Sequence, residues 1–105
     1  MSLIDYLAHA AGGCFLVNGI PHFVQGICGN RFQSPFASPP GIGESSPIVN
    51  VLWGALNFLL GTLLLCEVGE FQLGLNLDTI VTVSFGLLFS LTLAWHFGKV
   101  RSNKQ

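Results

Sequence analysis

The sequence predicts an all-α membrane protein: three transmembrane helices, with a Pro/Gly-rich ordered loop between helices 1 and 2. Three observations predict it. Only 9% of the 105 residues are charged and 50% are hydrophobic, whereas an ordinary soluble domain carries about 25% charged residues. Three segments, Tyr6 to Asn30, Ser45 to Cys66 and Thr79 to Gly98, contain no Asp, Glu, Lys or Arg, and each approaches or exceeds the roughly 20 residues an α-helix needs to cross hydrocarbon. Four of the five prolines lie between residues 29 and 47. The chain therefore reads as one membrane domain, with helix 1 over residues 4–28, a loop over 29–46, helix 2 over 47–66, an outer loop over 67–78, helix 3 over 79–98 and an inner tail over 99–105.

Helix 1 opens on Met1-Ser2-Leu3-Ile4-Asp5, an acid where a cleavable signal would carry bases, so the helix is expected to be retained. Gly12, Gly19 and Gly26 repeat every seven residues and let another backbone approach closely, which favours a helix-packing face over a ligand groove. Pro21 has no N–H for the carbonyl of Val17, so the helix is expected to bend or open there. Asn18, His22 and Gln25 follow helical spacing and point together toward protein or a ligand rather than acyl chains.

The loop mixes its prolines with Phe32, Phe36 and Ile42. Long loops without secondary structure are functional or disordered, and aromatics argue against disorder. An ordered lid is expected over the inner mouth of the bundle, with Phe32 or Phe36 buried and Arg31 near the polar residues. Ser45-Ser46-Pro47 then supplies an N-cap and a first-turn proline for helix 2. Along that helix Asn50, Gly54, Asn57 and Gly61 are spaced four, three and four and share one face, read either as packing or as the lining of a polar cavity. Trp53 marks the interface. The outer loop reads as a short interfacial piece. Helix 3 offers Gly86 and Ser90 as a small-residue packing pair, and Trp95, His96 and Lys99 as an aromatic belt with a snorkelling base.

Charge sets an orientation. Arg31, Lys99, Arg101 and Lys104 fall on one side with Glu44, and Asp5, Glu67, Glu70 and Asp78 on the other. The rule that bases face the cytoplasm then places the N-terminus outside and the C-terminus inside. His22, Asn50, Arg31 and His96 converge near the inner leaflet in that topology, with Asn18, Gln25 and Asn57 close by as further members of a ligand-binding or polar cluster. Such a group suits haem, a metal, an anionic head group or a quinone carbonyl. Two imidazoles without a carboxylate or thiolate fall short of metal-ligand spacing, so His22 and His96 are not taken as a metal pair. Cys14, Cys28 and Cys66 show no paired spacing and read as packing residues.

The chain has no P-loop, G-x-G-x-x-G, G-x-S-x-G, H-E-x-x-H or C-x-x-C motif, which argues against soluble catalysis. No acid falls inside the three charge-free segments, which argues against a carboxylate proton relay. No basic patch supports nucleic-acid binding.

The segments Asn18-Gly19-x-Pro21-His22-Phe23, Gln33-Ser34-Pro35-Phe36-Ala37, Pro39-Pro40-Gly41 and Ser45-Ser46-Pro47, leading into Asn50-Val51-Leu52-Trp53-Gly54, resemble a group of small bacterial inner-membrane proteins over residues 18–57. The resemblance implies a bacterial inner membrane and brings no activity, substrate or cofactor with it. The leading expectation is a non-enzymatic, homo-oligomeric membrane protein that scaffolds a complex or forms a small-solute or lipid passage. The alternative is a redox or ligand-binding subunit that uses His22 and His96.

Overall fold

A computed structural model describes residues 1–102; Lys104, counted above among the inner bases, lies outside the described residues. Three helices dominate: α1 (Leu3–Ile27), α2 (Pro47–Cys66) and α3 (Leu77–Ser102). All three are long and apolar enough to cross a membrane. The molecule extends 46 Å along its long axis, near the thickness of a bilayer with its head-group regions, about 40–45 Å.

The ends of the helices follow from local chemistry. Ser2 caps α1 through a capping box in which its hydroxyl accepts from Asp5 N–H and the Asp5 carboxylate accepts from Ser2 N–H, a pairing that satisfies orphan first-turn donors. Ser46 caps α2 by accepting from Val49 N–H at 3.2 Å, and Pro47 opens the helix. Helix α3 starts two residues ahead of the expected Thr79, because the Asn76 side chain accepts from Thr79 N–H at 2.8 Å. Asp78 thus enters the first turn of a helix, where the dipole favours an acid. At its far end α3 carries Lys99 and Arg101 in the last turn, the complementary placement.

Helix α1 is the centre of the bundle. It packs along both other helices, while α2 and α3 hardly touch each other. Against α2 the approach is backbone to backbone. A Cβ on Gly12 would stand 3.0 Å from the Gly61 carbonyl oxygen, one on Gly19 2.9 Å from the Gly54 oxygen, and one on Gly26 2.7 Å from the Pro47 oxygen. Each step of seven along α1 therefore meets a step of seven back along the antiparallel α2. Against α3 the fit is close at one point, where a Cβ on Gly13 would stand 3.1 Å from the Thr82 carbonyl oxygen, and looser at Gly86, whose Cβ would lie 3.6 Å from Val17, an ordinary contact. Ser90 turns back to donate to the Gly86 carbonyl of its own helix at 2.8 Å, so it makes no bond across the interface. Helix α1 runs through Pro21 without interruption, so of the bend or opening expected there the helix does not open.

The interior is inverted relative to a soluble protein. Among the described residues the only buried hydrophobic side chains are Ala10 and Phe32, while His9, His22, Gln33, Asn50 and Asn57 are all at most 3% exposed. Leu, Ile and Val cover the outside, including Leu52, Leu59, Leu87 and Leu91. Lipid tails are as apolar as leucine, so burying such side chains between helices gains little, and small residues and hydrogen-bonding groups take the interhelical positions.

The loop between α1 and α2 is folded. Phe32–Gln33 (β1) and Glu44–Ser45 (β2) pair as a two-residue antiparallel ladder, Phe32 opposite Ser45. Within it, Gly41 and Ser34 are joined by a Gly41 N–H bond to the Ser34 carbonyl at 2.9 Å, and the hydroxyls of Ser34 and Ser45 are hydrogen-bonded. Gly41 has φ +75°, a left-handed conformation that glycine adopts without steric cost. Phe32 is 4% exposed and Phe36 64%.

Candidate functional site

The site forms where this loop meets the ends of α1, α2 and α3. Asn50 is its anchor. Its amide NH2 lies 3.1–3.2 Å from the carbonyls of Phe32, Ser45 and Ser46, all acceptors, so the amide is fixed with its oxygen toward His22. The His22 Nδ1 to Asn50 Oδ1 distance is 2.8 Å. An amide oxygen only accepts, so Nδ1 carries the proton and neutral His22 is left with a bare, accepting Nε2. Phe32, Trp53 and Phe97 surround the imidazole edge-on at 5.5, 6.3 and 6.2 Å between centroids.

His96 closes the loop from the α3 side. Its Nε2 donates to the Gly41 carbonyl at 2.8 Å, so His96 holds the loop rather than facing water. Arg101 does the rest: it lies 4.9 Å above the Phe32 ring, donates to Gln33 Oε1 at 3.1 Å and stands 3.9 Å from the Glu44 carboxylate. Arg31, expected at the cluster, is exposed and donates instead to the Glu44 backbone carbonyl at 3.2 Å. It is kept out by the turn at β1, where Phe32 and Gln33 are buried and the next residue back faces outward.

Beneath the loop is a cavity of about 240 Å³ lined by Asn18, His22, Gln33, Ser34, Trp53, His96 and their neighbours. Two of these lining residues carry a buried N–H donor without a partner, Gln33 Nε2 and Trp53 Nε1. Because Arg101 takes Oε1, the Gln33 amide cannot be satisfied by turning over. Two unmet donors and one bare acceptor thus belong to residues that line this cavity, and buried polar groups without partners are uncommon enough to require an explanation.

The remaining residues singled out by the sequence separate from this centre. Asn18 donates to Asn57 Oδ1 at 3.0 Å, and Asn57 donates to the Trp53 carbonyl at 2.8 Å, an α1–α2 clasp bordering the cavity. Gln25 accepts from Asn30 at 3.0 Å and lines a different groove, between α1 and α3. His22 and His96 line one cavity, but among the described residues no three His, Cys, Asp or Glu side chains come together as a metal-holding group.

Sequence reasoning missed Gln33 as a lining residue and missed His9 altogether. His9, fully buried, lies at the other end of the bundle between the Asp78 carboxylate, 2.7 Å from Nδ1, and the Val68 carbonyl, 2.5 Å from Nε2. The Val68 carbonyl only accepts, so Nε2 carries a proton toward it, and a second proton lies between Nδ1 and the Asp78 carboxylate. Asp78, expected in the outer loop with no acid inside a span, instead lies in α3 and is 5% exposed. A histidine alone in the apolar first half of a helix was the available signal. Set against family models, curated proteins and solved structures, the chain matches none of them.

Proposed function

We propose that this is a small, non-enzymatic integral membrane protein that retains a small molecule, or the head group of a lipid-soluble one, in the cavity beneath its Pro/Gly-rich loop. One observation carries the reading: the cavity that holds the bare Nε2 of His22 is also lined by two residues with unpartnered donors, Gln33 and Trp53. A ligand bearing an acceptor satisfies donors whose desolvation otherwise costs about 1–3 kcal/mol each. His96, Arg101 and Asn50 hold the loop over it.

The setting we assign is a bacterial inner membrane, with the N-terminus outside and the loop on the cytoplasmic side beside Arg31, Lys99 and Arg101. The expectation of a homo-oligomeric scaffold or passage rests on small-residue and asparagine faces. Those faces close on one another inside the chain, Gly12 on Gly61, Gly19 on Gly54 and Asn18 on Asn57, so ligand retention replaces it as the leading reading. Native mass spectrometry of protein released from a mild detergent tests the proposal. A single small-molecule adduct on the wild type, lost in Gln33→Leu, is the expected result; identical bare ions from both proteins would count against it.

A further inference from the structure

A second concavity begins where the cavity ends. Because α2 and α3 hardly touch, α1 is bared between them as the floor of a groove of about 410 Å³. Ala11, Cys14 and Phe15 form that floor, and Phe89 of α3 stands on one wall. Asn18 and Trp53 belong both to this groove and to the cavity under the loop, so the two adjoin. The groove lies on spanning helices, at the depth of acyl chains. The polar pair along it is already engaged, Asn18 with Asn57 and Asn57 with the Trp53 carbonyl.

The two spaces differ in chemistry. The groove is almost wholly apolar; the cavity lies against the loop, has the larger polar share in its lining, and is bordered by residues that carry donors and an acceptor. It offers no unbalanced charge: none of the lining residues is an acid, lysine or arginine, and nearby Arg101 is engaged by Gln33 and Glu44. A phosphate head would find no cation among the lining side chains, whereas the unpartnered donors of two lining residues, Gln33 Nε2–H and Trp53 Nε1–H, suit a neutral carbonyl-bearing head. Together the two spaces fall in the range of about 300–1,000 Å³ usual for ligand sites.

Resting on the ligand-retention reading above, we propose that the occupant is one uncharged amphiphile of the quinone chemical class. Its carbonyl-bearing ring lies under the loop and its apolar tail runs along α1 between α2 and α3. Gln33 and Trp53 donate to the ring carbonyls, and the bare Nε2 of His22 accepts from a ring hydroxyl when the head carries one.

The test uses Trp53 as reporter. In the full chain carrying Trp95→Phe, reconstituted in lipid nanodiscs, Trp53 is the one remaining tryptophan. The probes are decylubiquinone and the same ring without its tail. Expected is saturable quenching by decylubiquinone, weakened about tenfold by Gln33→Leu, the loss of roughly one buried hydrogen bond. Cys14→Phe fills the groove and leaves the cavity lining intact; it should weaken decylubiquinone alone, and the tail-less ring should bind more weakly than decylubiquinone from the outset. Equal affinity for the two probes, with Cys14→Phe without effect, overturns the tail assignment and leaves ligand retention standing. Absence of saturable quenching by either probe overturns the quinone-class head, and a wild-type protein that nonetheless carries a small-molecule adduct would then separate that failure from failure of the retention reading.

Discussion

Asn50 is the residue on which the loop end depends, because one side chain joins α2, α1 and both strands of the loop. Replacing it with leucine strands the His22 Nδ1 proton and removes the donor to the Phe32 and Ser45 carbonyls. With about 1–3 kcal/mol for each buried group left unpaired, Asn50→Leu should destabilise the fold by about 2–4 kcal/mol, read as a lower unfolding midpoint in detergent. At the opposite end, His9→Leu leaves the Asp78 carboxylate buried without its partner, and breaking such a pair costs about 3–5 kcal/mol. The double variant His9→Leu, Asp78→Leu should regain much of that loss. A double-mutant cycle with no coupling would show that the pair does not act as a unit. These residues also mark what the sequence withheld. Asn50 and His22 were legible from helical spacing, because a polar residue within an apolar span needs a partner. Gln33 was not, since its role depends on a strand register that only the folded loop sets, and Asp78 was assigned to a loop because the Asn76 cap was not recognised.

At the level of elements, the α1–α2 seam depends on three glycine contacts of backbone on backbone. A Cβ on Gly54 would lie 2.7 Å from Phe23 N and 2.9 Å from the Gly19 carbonyl oxygen, groups that cannot rotate away. Gly54→Leu should therefore separate the helices and abolish the folded state, seen as lost resistance to limited proteolysis. Gly86→Ala is the contrast, since its Cβ meets Val17 at 3.6 Å. There the gain in helix propensity, about 1 kcal/mol, should leave stability unchanged or raised. The seven-residue glycine repeat made the contact face visible in the sequence. Its partner was not visible, because the same repeat serves a helix of the same chain or of another, and only packing decides.

The whole molecule presents a polar seam, an apolar exterior and a charge difference between its ends. Native cysteines report its orientation. Cys28 caps the loop end of α1 and Cys66 closes α2 at the opposite end, both exposed. In intact bacterial cells expressing a Cys14→Ser protein, a membrane-impermeant maleimide should label Cys66 and spare Cys28; the reverse pattern would invert the topology. Helix number and approximate extent were legible because lipid imposes a minimum apolar length. The groove between α2 and α3 was not, as it arises from which pairs of helices pack.

The central claim, that the loop borders a cavity to which His22 offers a bare acceptor, is tested most directly by the nitrogen chemical shifts of the His22 ring. Protein labelled with 15N-histidine, compared with a His22→Gln variant to assign the signal, is expected to show a protonated Nδ1 and the far-downfield resonance of an unprotonated Nε2. A His22 protonated at Nε2 with a bare Nδ1 would contradict the Asn50 geometry and, with it, the account of the cavity.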